Sequence, residues 1–360
     1  MLRKIFFWSV LFFGKATLLI AQSECSQLIR QAEDKFELGR LYEVTDLLSR
    51  CTSNSNLSDE ERVEALRLQT LSYLYLDYFE QADESYLQLL KTNPLYEVDL
   101  INDPNELIKH HQKFTTKPFI SFHVIKLGVN KSFYQEIVNH SFSGFEESET
   151  MQNKSGISIA AGVEFALYKE LHLTVDFQFS RFTHQQLGRY FNDANNFYQP
   201  VLKQNHTFLE FPIALKYIVP VKKRWSPYIL AGIIPATLLN ASATNVTRTV
   251  NQGGDAFSNE VADIGELNEL RVKNNFSYFA GLGVQYMIGK NYLTFELRYA
   301  RGMKNLVDEN SRYKWVSEDT ENRQYHFPLN FVDDDFLIDY ASFTIGFIKP
   351  MYYPRKIKKK

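Results

Sequence analysis

Cysteine is nearly absent from this chain of 360 residues: two only, which rules out a disulfide-built scaffold. Net charge is scarce too. Forty Lys and Arg stand against 42 Asp and Glu, a formal balance of −2, so there is no overall basic field for nucleic acid. Past residue 21 no stretch of eighteen apolar residues occurs, and mean hydropathy is −0.30. The expectation is therefore no transmembrane helix in the mature chain. Tryptophan is rare, at three residues, but 29 Phe and 21 Tyr make an aromatic surplus that suits strands and membrane-interface girdles.

The first residues read as an export signal, 1–21. Arg3 and Lys4 supply the positive start, 5–13 is an apolar run interrupted by Ser9 alone, and Ala21 ends the segment before Gln22. Gln22-Ser23-Glu24 before Cys25 does not match a lipobox and argues against a lipid anchor there.

Over 22–117 apolar residues recur at helical spacing. Leu28, Ala32 and Phe36 form one stripe; Leu41, Val44, Leu47 and Leu48 form the next, with Gly39 turning between them. Ser58 with Glu61 reads as a capping box opening a third helix through Ala65, Leu68 and Leu71. A fourth, through Ala82, Tyr86, Leu89 and Leu90, stops at Asn93-Pro94. A last helix, 104–114, is expected to have Asp103 as cap and to cover the open end. Leu66, Tyr73, Ala82, Tyr86 and Pro94 resemble the large, aromatic, small, aromatic and proline positions of a tetratricopeptide repeat. A generic four-helix bundle is the plainer alternative. Cys25 begins the first helix and Cys51 ends the second, so an antiparallel hairpin brings them side by side. In an oxidising compartment a disulfide is expected, with two buried free thiols as the alternative. Mass measurement after non-reducing alkylation separates the two.

After Thr116 the period changes from 3.6 to 2. Along 171–179, Leu171, Leu173, Val175, Phe177 and Phe179 share one side, while His172, Thr174, Asp176 and Gln178 take the other. Eight such strands are expected, near 118–133, 156–168, 171–183, 207–219, 226–238, 276–288, 292–302 and 337–348. Connections alternate between tight ones (169–170, 220–225, 289–291) and long ones. That alternation favours an up-and-down transmembrane barrel over a soluble sandwich, with tight turns in the periplasm and long loops outside. An even strand number places both barrel ends, and with them the helical domain, in the periplasm. The fold class expected is thus α + β in separate domains: helical hairpins at 22–117, an eight-stranded antiparallel barrel at 118–349, and a basic tail at 350–360.

Leu209-Glu210-Phe211-Pro212-Ile213-Ala214-Leu215-Lys216-Tyr217, followed by Pro227-Tyr228-Ile229-Leu230-Ala231-Gly232, resembles a strand pair of the PorT-type outer-membrane barrel family of Bacteroidota. Lys126-Leu127-Gly128-Val129-Asn130-Lys131-Ser132 is similar to that family's first strand. The resemblance covers roughly 118–349 and its motifs are structural. It implies an outer-membrane barrel, some of whose relatives assist protein secretion; the helical front domain departs from the simplest members.

Eight strands enclose room for side chains only. The inward set includes Glu164, Asp176, Glu210 and Glu296 with Lys126, Lys216 and Arg298, expected to pair as a network that plugs the lumen. Catalytic and metal signals are weak. Asn139-His140-Ser141-Phe142-Ser143, His184 and His206 offer Ser and His near loops without a spacing that demands a triad. Asp333-Asp334-Asp335 lacks a calcium-ligand pattern, and His110 and His111 point about 100° apart on a helix. No catalytic residue, cofactor or metal is expected. Outer loops are acidic (Glu146, Glu147, Glu149, Asp255, Glu260, Asp263, Glu266, Glu269) and the tight turns and tail basic (Lys169, Lys222, Lys223, Arg224, Lys290, Arg355, Lys356, 358–360). The tail reads either as a solvated end or as an attachment to anionic headgroups or an acidic partner.

The functional expectation is a non-enzymatic barrel, in contact with outer-membrane lipid, that anchors a periplasmic helical adaptor for a protein partner in secretion or outer-membrane assembly. Arg30, Arg40, Arg67 and Tyr75 are the candidate contacts. The alternative is a lipid-modifying enzyme with its site in the outer loops.

Overall fold

The computed structural model describes residues 23–52, 58–138, 140, 150–187, 190–193, 196–221, 224–252, 255–261, 265–312 and 334–357. The export segment 1–21, Asn139, Ser141, Phe142, Ser143, Glu146, Glu147, Glu149, Lys222, Lys223, Asp263, Asp333 and 358–360 lie outside the described residues, as do the side chains of Cys25, Cys51, Asp255 and Glu260. The chain divides into two compact units, 120–351 and the remainder.

The helical unit contains α1 (Ser23–Glu37), α2 (Leu41–Thr52), α3 (Asp59–Tyr75), α4 (Phe79–Thr92) and α5 (Asn105–His111). Gly39 adopts φ +73° at the first turn and Asp77 φ +61° at the second, the left-handed conformation that reverses the chain within two or three residues. Ser58 and Glu61 form the reciprocal capping box expected of them, each side chain bonding the other's backbone N–H at 3.2 Å. Ile29, Ala32, Val44, Leu48, Ala65 and Leu68 pack together across α1 to α3. Leu66, Leu71, Tyr86, Leu89, Leu90, Leu107 and Phe114 form a second cluster. One expectation is corrected. Pro104 stands at the N-terminal cap of α5, and Asp103 accepts instead from Arg67 Nε at 3.1 Å and from the backbone of Asp99 at 2.7 Å. A guanidinium is a stronger partner than a helix end.

The tail is likewise no separate solvated segment as far as Ile357. Residues 114–115 and 355–356 form a two-stranded ladder, Phe114 opposite Lys356, and Ile357 N–H donates to the Lys113 carbonyl at 2.7 Å. These residues belong to the helical unit.

The second unit is a ring of eight staves: β1 (Ile120–Val138), β2 (Ser155–Tyr168), β3 (Leu171–Leu187), β4 (Asn196–Glu210, resuming at Ile213–Ile218), β5 (Trp225–Gln252), β6 (Asn274–Ile288), β7 (Asn291–Gly302) and β8 (Asp335–Met351). Each pairs antiparallel with its sequence neighbour, and β8 closes on β1 with Phe343 opposite Val129 and Ile345 opposite Leu127. Every stave is thereby paired on both edges, the condition a sheet must meet in hydrocarbon. Tight turns close at Lys169-Glu170 and Gly289-Lys290, where Lys169 (φ +44°) and Gly289 (φ +58°) take the left-handed conformation of two-residue hairpins.

Several staves run further than the hydropathy pattern reaches. β4 starts at Asn196 rather than near 207, and β5 continues to Gln252, paired along Asn196–Glu210 and again with Asp255–Val261. Long connections therefore continue as hairpin above the barrel. Apolar residues such as Phe197, Val201, Val246 and Val250 fall there without strict alternation, so no period of two marks these segments as strand.

The faces are inverted relative to a water-soluble core. Ile157 is 66% and Leu282 60% exposed on the outside, whereas Asp176 is 2% and Arg298 6% exposed within. An apolar exterior around a charged interior is stable only where hydrocarbon replaces water outside. Tyr168, Tyr217 and Trp225 are exposed at the tight-turn end, where amphipathic rings favour the headgroup boundary.

Candidate functional site

The lumen near the tight turns is cross-linked by charge. Asp176 on β3 accepts from His123 Nδ1 at 2.6 Å, Lys126 Nζ at 2.6 Å and Arg298 at 3.3 Å. Glu164 on β2 meets His123 Nε2 at 3.2 Å, Lys216 Nζ at 2.8 Å and His172 Nδ1 at 2.8 Å. Glu296 on β7 pairs with Arg298 and accepts from the Tyr228 hydroxyl at 2.9 Å. Lys216 also donates to Gln285 at 3.3 Å and lies 4.2 Å above the Tyr228 ring. Six of the seven lumen residues named from sequence thus join one network through shared partners. Glu210 accepts from Ser180 at 2.5 Å, Gln178 at 2.8 Å and Tyr340 at 3.3 Å, and makes no ion pair. Burial of this many charges is tolerable because each is paired or hydrogen-bonded.

His123 and Tyr228 were missed by sequence reasoning, and His172, which alternation placed on the polar face, was not assigned to the ion network. Strict alternation puts His123 and Lys126 on opposite faces. A bulge between them, with Val124 and Ile125 both exposed, turns both inward. No sequence signal marks that bulge.

Toward the long-loop end the lumen turns apolar and is capped from above. Leu267 and Leu270, flanking the 3₁₀ turn Asn268–Leu270, and Leu306 and Val307 after β7 are buried against Phe182, Phe208, Ile234, Leu238 and Phe336. Arg271 bridges to Val307 in backbone pairing and donates to His206 Nε2 at 3.1 Å and Gln204 at 2.7 Å. His206 stacks on His184, ring centres 5.1 Å apart. Both histidines are therefore packed inside the barrel rather than at loop bases. His140 Nε2 lies 3.0 Å from Asp335, which Arg312 also pairs, while Asp334 accepts from the His140 backbone at 2.7 Å. Among the described residues no cluster of three His, Cys, Asp or Glu fit for a metal ion occurs.

In the helical unit Arg30, Arg40 and Tyr75 are exposed. Arg67 differs: it is drawn onto Asp103 and Glu64 and clamps α3 to the segment before α5. The surface feature that the arginines did not mark is aromatic. Leu38, Tyr42, Tyr75, Tyr78 and Phe79 are all exposed at the two inter-helix turns, with Tyr42 and Tyr78 ring centres 6.4 Å apart. Beneath the unit's other end Tyr86 donates to His111 Nδ1 at 2.6 Å, and His110 lies 3.5 Å from Asp83. Burial pushes the pKa of both histidines down and lifts that of Tyr96 to about 12.

A closed ring of eight antiparallel staves, apolar outside and ionic within, defines a transmembrane β-barrel. The family model described as "Outer membrane protein beta-barrel domain" matches residues 116–308, more than half of the chain. The chain belongs to that family, and its barrel resides in the outer membrane. Similar solved structures include OprG from Pseudomonas aeruginosa (12% identity, 67% of this chain and 98% of that chain, TM-score 0.35). Neisserial surface protein A is also similar (10%, 64% and 97%, TM-score 0.28), as is Ail of Yersinia pestis (12%, 64% and 99%, TM-score 0.28). No curated protein matches the chain.

Proposed function

We propose that the protein is a non-enzymatic outer-membrane anchor for a periplasmic adaptor. The barrel, of PorT type, fixes the chain in the membrane with tight turns inward and long loops outward. The tetratricopeptide-like helical unit, exported behind the signal at 1–21, binds a protein partner in secretion or outer-membrane assembly. What supports this reading most is the exposed patch of Leu38, Tyr42, Tyr75, Tyr78 and Phe79, in which the Tyr42 and Tyr78 ring centres lie 6.4 Å apart, on a unit that has two buried cores of its own. Exposed aromatic clusters mark protein interaction sites. The test is affinity purification of the full chain from mildly solubilised membranes. A partner that accompanies the native protein but not Tyr42→Asp/Tyr78→Asp supports the reading. A solitary monomer in detergent, or full function after deletion of 22–114, sinks it and turns attention to a lipid-modifying role for the outer loops.

A further inference from the structure

The outer wall of the barrel carries a second charged feature, unrelated to the lumen. Lys154, Ser155, Thr183, Gln185 and Lys203 line a pocket of about 420 Å³ where the start of β2 lies against β3 and β4. Register explains why these residues converge. Lys154 N–H donates to the Thr183 carbonyl at 3.2 Å, and Gln185 stands directly opposite Lys203. Two further cations flank the pocket. Lys131 on β1 is paired opposite Ser155, and Arg181 precedes Thr183 by two positions on the same face of β3. Lys154 Nζ donates to Gln152 at 3.1 Å. Among the described residues none of the four cations meets a carboxylate within ion-pairing distance, although the chain holds 42 acids against 40 bases.

Height on the barrel identifies what this concentration of positive charge faces. Arg181 and Lys131 lie about ten residues from the tight-turn ends of their staves; at a rise of ~3.3 Å per residue and a tilt near 40°, that is about 25 Å. An outer-membrane barrel's apolar band is about that tall. Below the cations the exterior is Phe177 and Phe179 on β3, Ile157 and Ile159 on β2, and Leu127 and Val129 on β1, all exposed. Acyl chains occupy that level, so the cations sit where headgroups begin. Lysine ammonium groups, an arginine fork, and Ser, Thr and Gln side chains together suit a phosphate, not a sugar alone or a zwitterion.

We infer that the pocket of Lys154, Ser155, Thr183, Gln185 and Lys203, flanked by Lys131 and Arg181, binds the phosphate of a phosphorylated, acylated glycolipid in the outer leaflet. The lipid's chains lie on the apolar wall of β1 to β3 below. The leaflet rests on the orientation given under the proposed function; the phosphate selectivity does not, nor does it depend on the helical unit having a partner.

Two measurements keep these apart. Full-length protein in zwitterionic detergent is titrated with purified lipopolysaccharide and with the same lipid after enzymatic dephosphorylation, with native mass spectrometry as readout. The phosphorylated form is expected to bind at least about tenfold more tightly, and Lys154→Ala/Lys203→Ala to abolish that preference. Lys290→Ala, at a tight turn, should keep it. Retained heat-modifiability on gels shows that each variant is folded. Equal affinity for the two forms, or an unchanged preference in the double variant, overturns the site. Complete displacement by millimolar inorganic phosphate overturns the lipid as its source. Separately, Lys304→Cys should react with a membrane-impermeant maleimide on intact cells. Labelling only after permeabilisation overturns the outer-leaflet assignment and the orientation with it, while leaving the selectivity result to be read independently.

Discussion

Asp176 and Glu164 are the two carboxylates on which the barrel's interior charge network converges. His123 and Lys126 of β1 and Arg298 of β7 converge on the two oxygens of Asp176; among the described residues its removal takes from Lys126 its ion-pair partner, while His123 keeps Glu164 and Arg298 keeps Glu296. Stranding charge in this way typically costs about 3–5 kcal/mol, because desolvation remains after attraction is lost. Asp176→Asn is therefore expected to lower the barrel's unfolding midpoint sharply in urea-titrated vesicles. Glu210→Gln should be nearly neutral, since its partners Ser180, Gln178 and Tyr340 are uncharged and an amide serves them nearly as well. Comparable losses in both variants would contradict this assignment of partners.

At the scale of elements, the helical unit has a pH dependence built into the packing of α4 against α5. His110 is buried beside Tyr86 and Phe114, faces Asp83, and has Lys113 and Lys356 nearby. His111 Nδ1 accepts a hydrogen bond from the Tyr86 hydroxyl, and Glu97 is its charged neighbour. Both are held below the ordinary histidine value of about 6.5, so the unfolded chain takes up protons first as pH falls. The stability these neutral rings contribute is complete above pH ~6.5 and is lost progressively below it. Thermal melting of the helical signal of the full chain should move to lower temperature between pH 7.5 and 5.5. His110→Phe should shrink that shift. A melt that is flat over this interval, or that rises on acidification, would contradict the packing described. The hairpin of α1 and α2 makes a further prediction: we propose that Cys25 and Cys51 are bonded, contributing roughly 3 kcal/mol on the chain-entropy estimate. Non-reducing alkylation should leave the native mass unmodified by reagent, and two alkyl adducts would refute the bond.

For the whole molecule, the charge network fills one end of the lumen and the apolar cluster of described residues the other. Planar bilayers containing the protein should show no large, discrete conductance; steady porin-like steps would mean that the plug of Leu267, Leu270, Leu306 and Val307 does not stay seated. Much of this was legible beforehand. Alternation along 171–179 assigned Asp176 inward and Phe177 outward, because the pleat leaves a side chain only two directions. Loop lengths then set the stave order, because an antiparallel ring of hairpins needs only short links at one end. The reach of β4 and β5 beyond 207–219 and 226–238 was not legible, because strict apolar–polar alternation does not hold across 196–206 and 239–252. Nor was the aromatic patch on the helical unit: Tyr42 and Tyr78 are far apart in sequence, and their spacing resembles that of core residues.

Sequence alone determined the inside-out character of the barrel, the stave count and the helical hairpins, since period, turn chemistry and capping act over a few residues. Only the tertiary structure decided which acid each base would choose, that His123 joins Lys126 across a bulge, that the tail pairs with 114–115, and that Lys131, Lys154, Arg181 and Lys203 gather on one wall. Those outcomes depend on strand register and on closing a ring, and register couples residues too distant along the chain for any local pattern to carry.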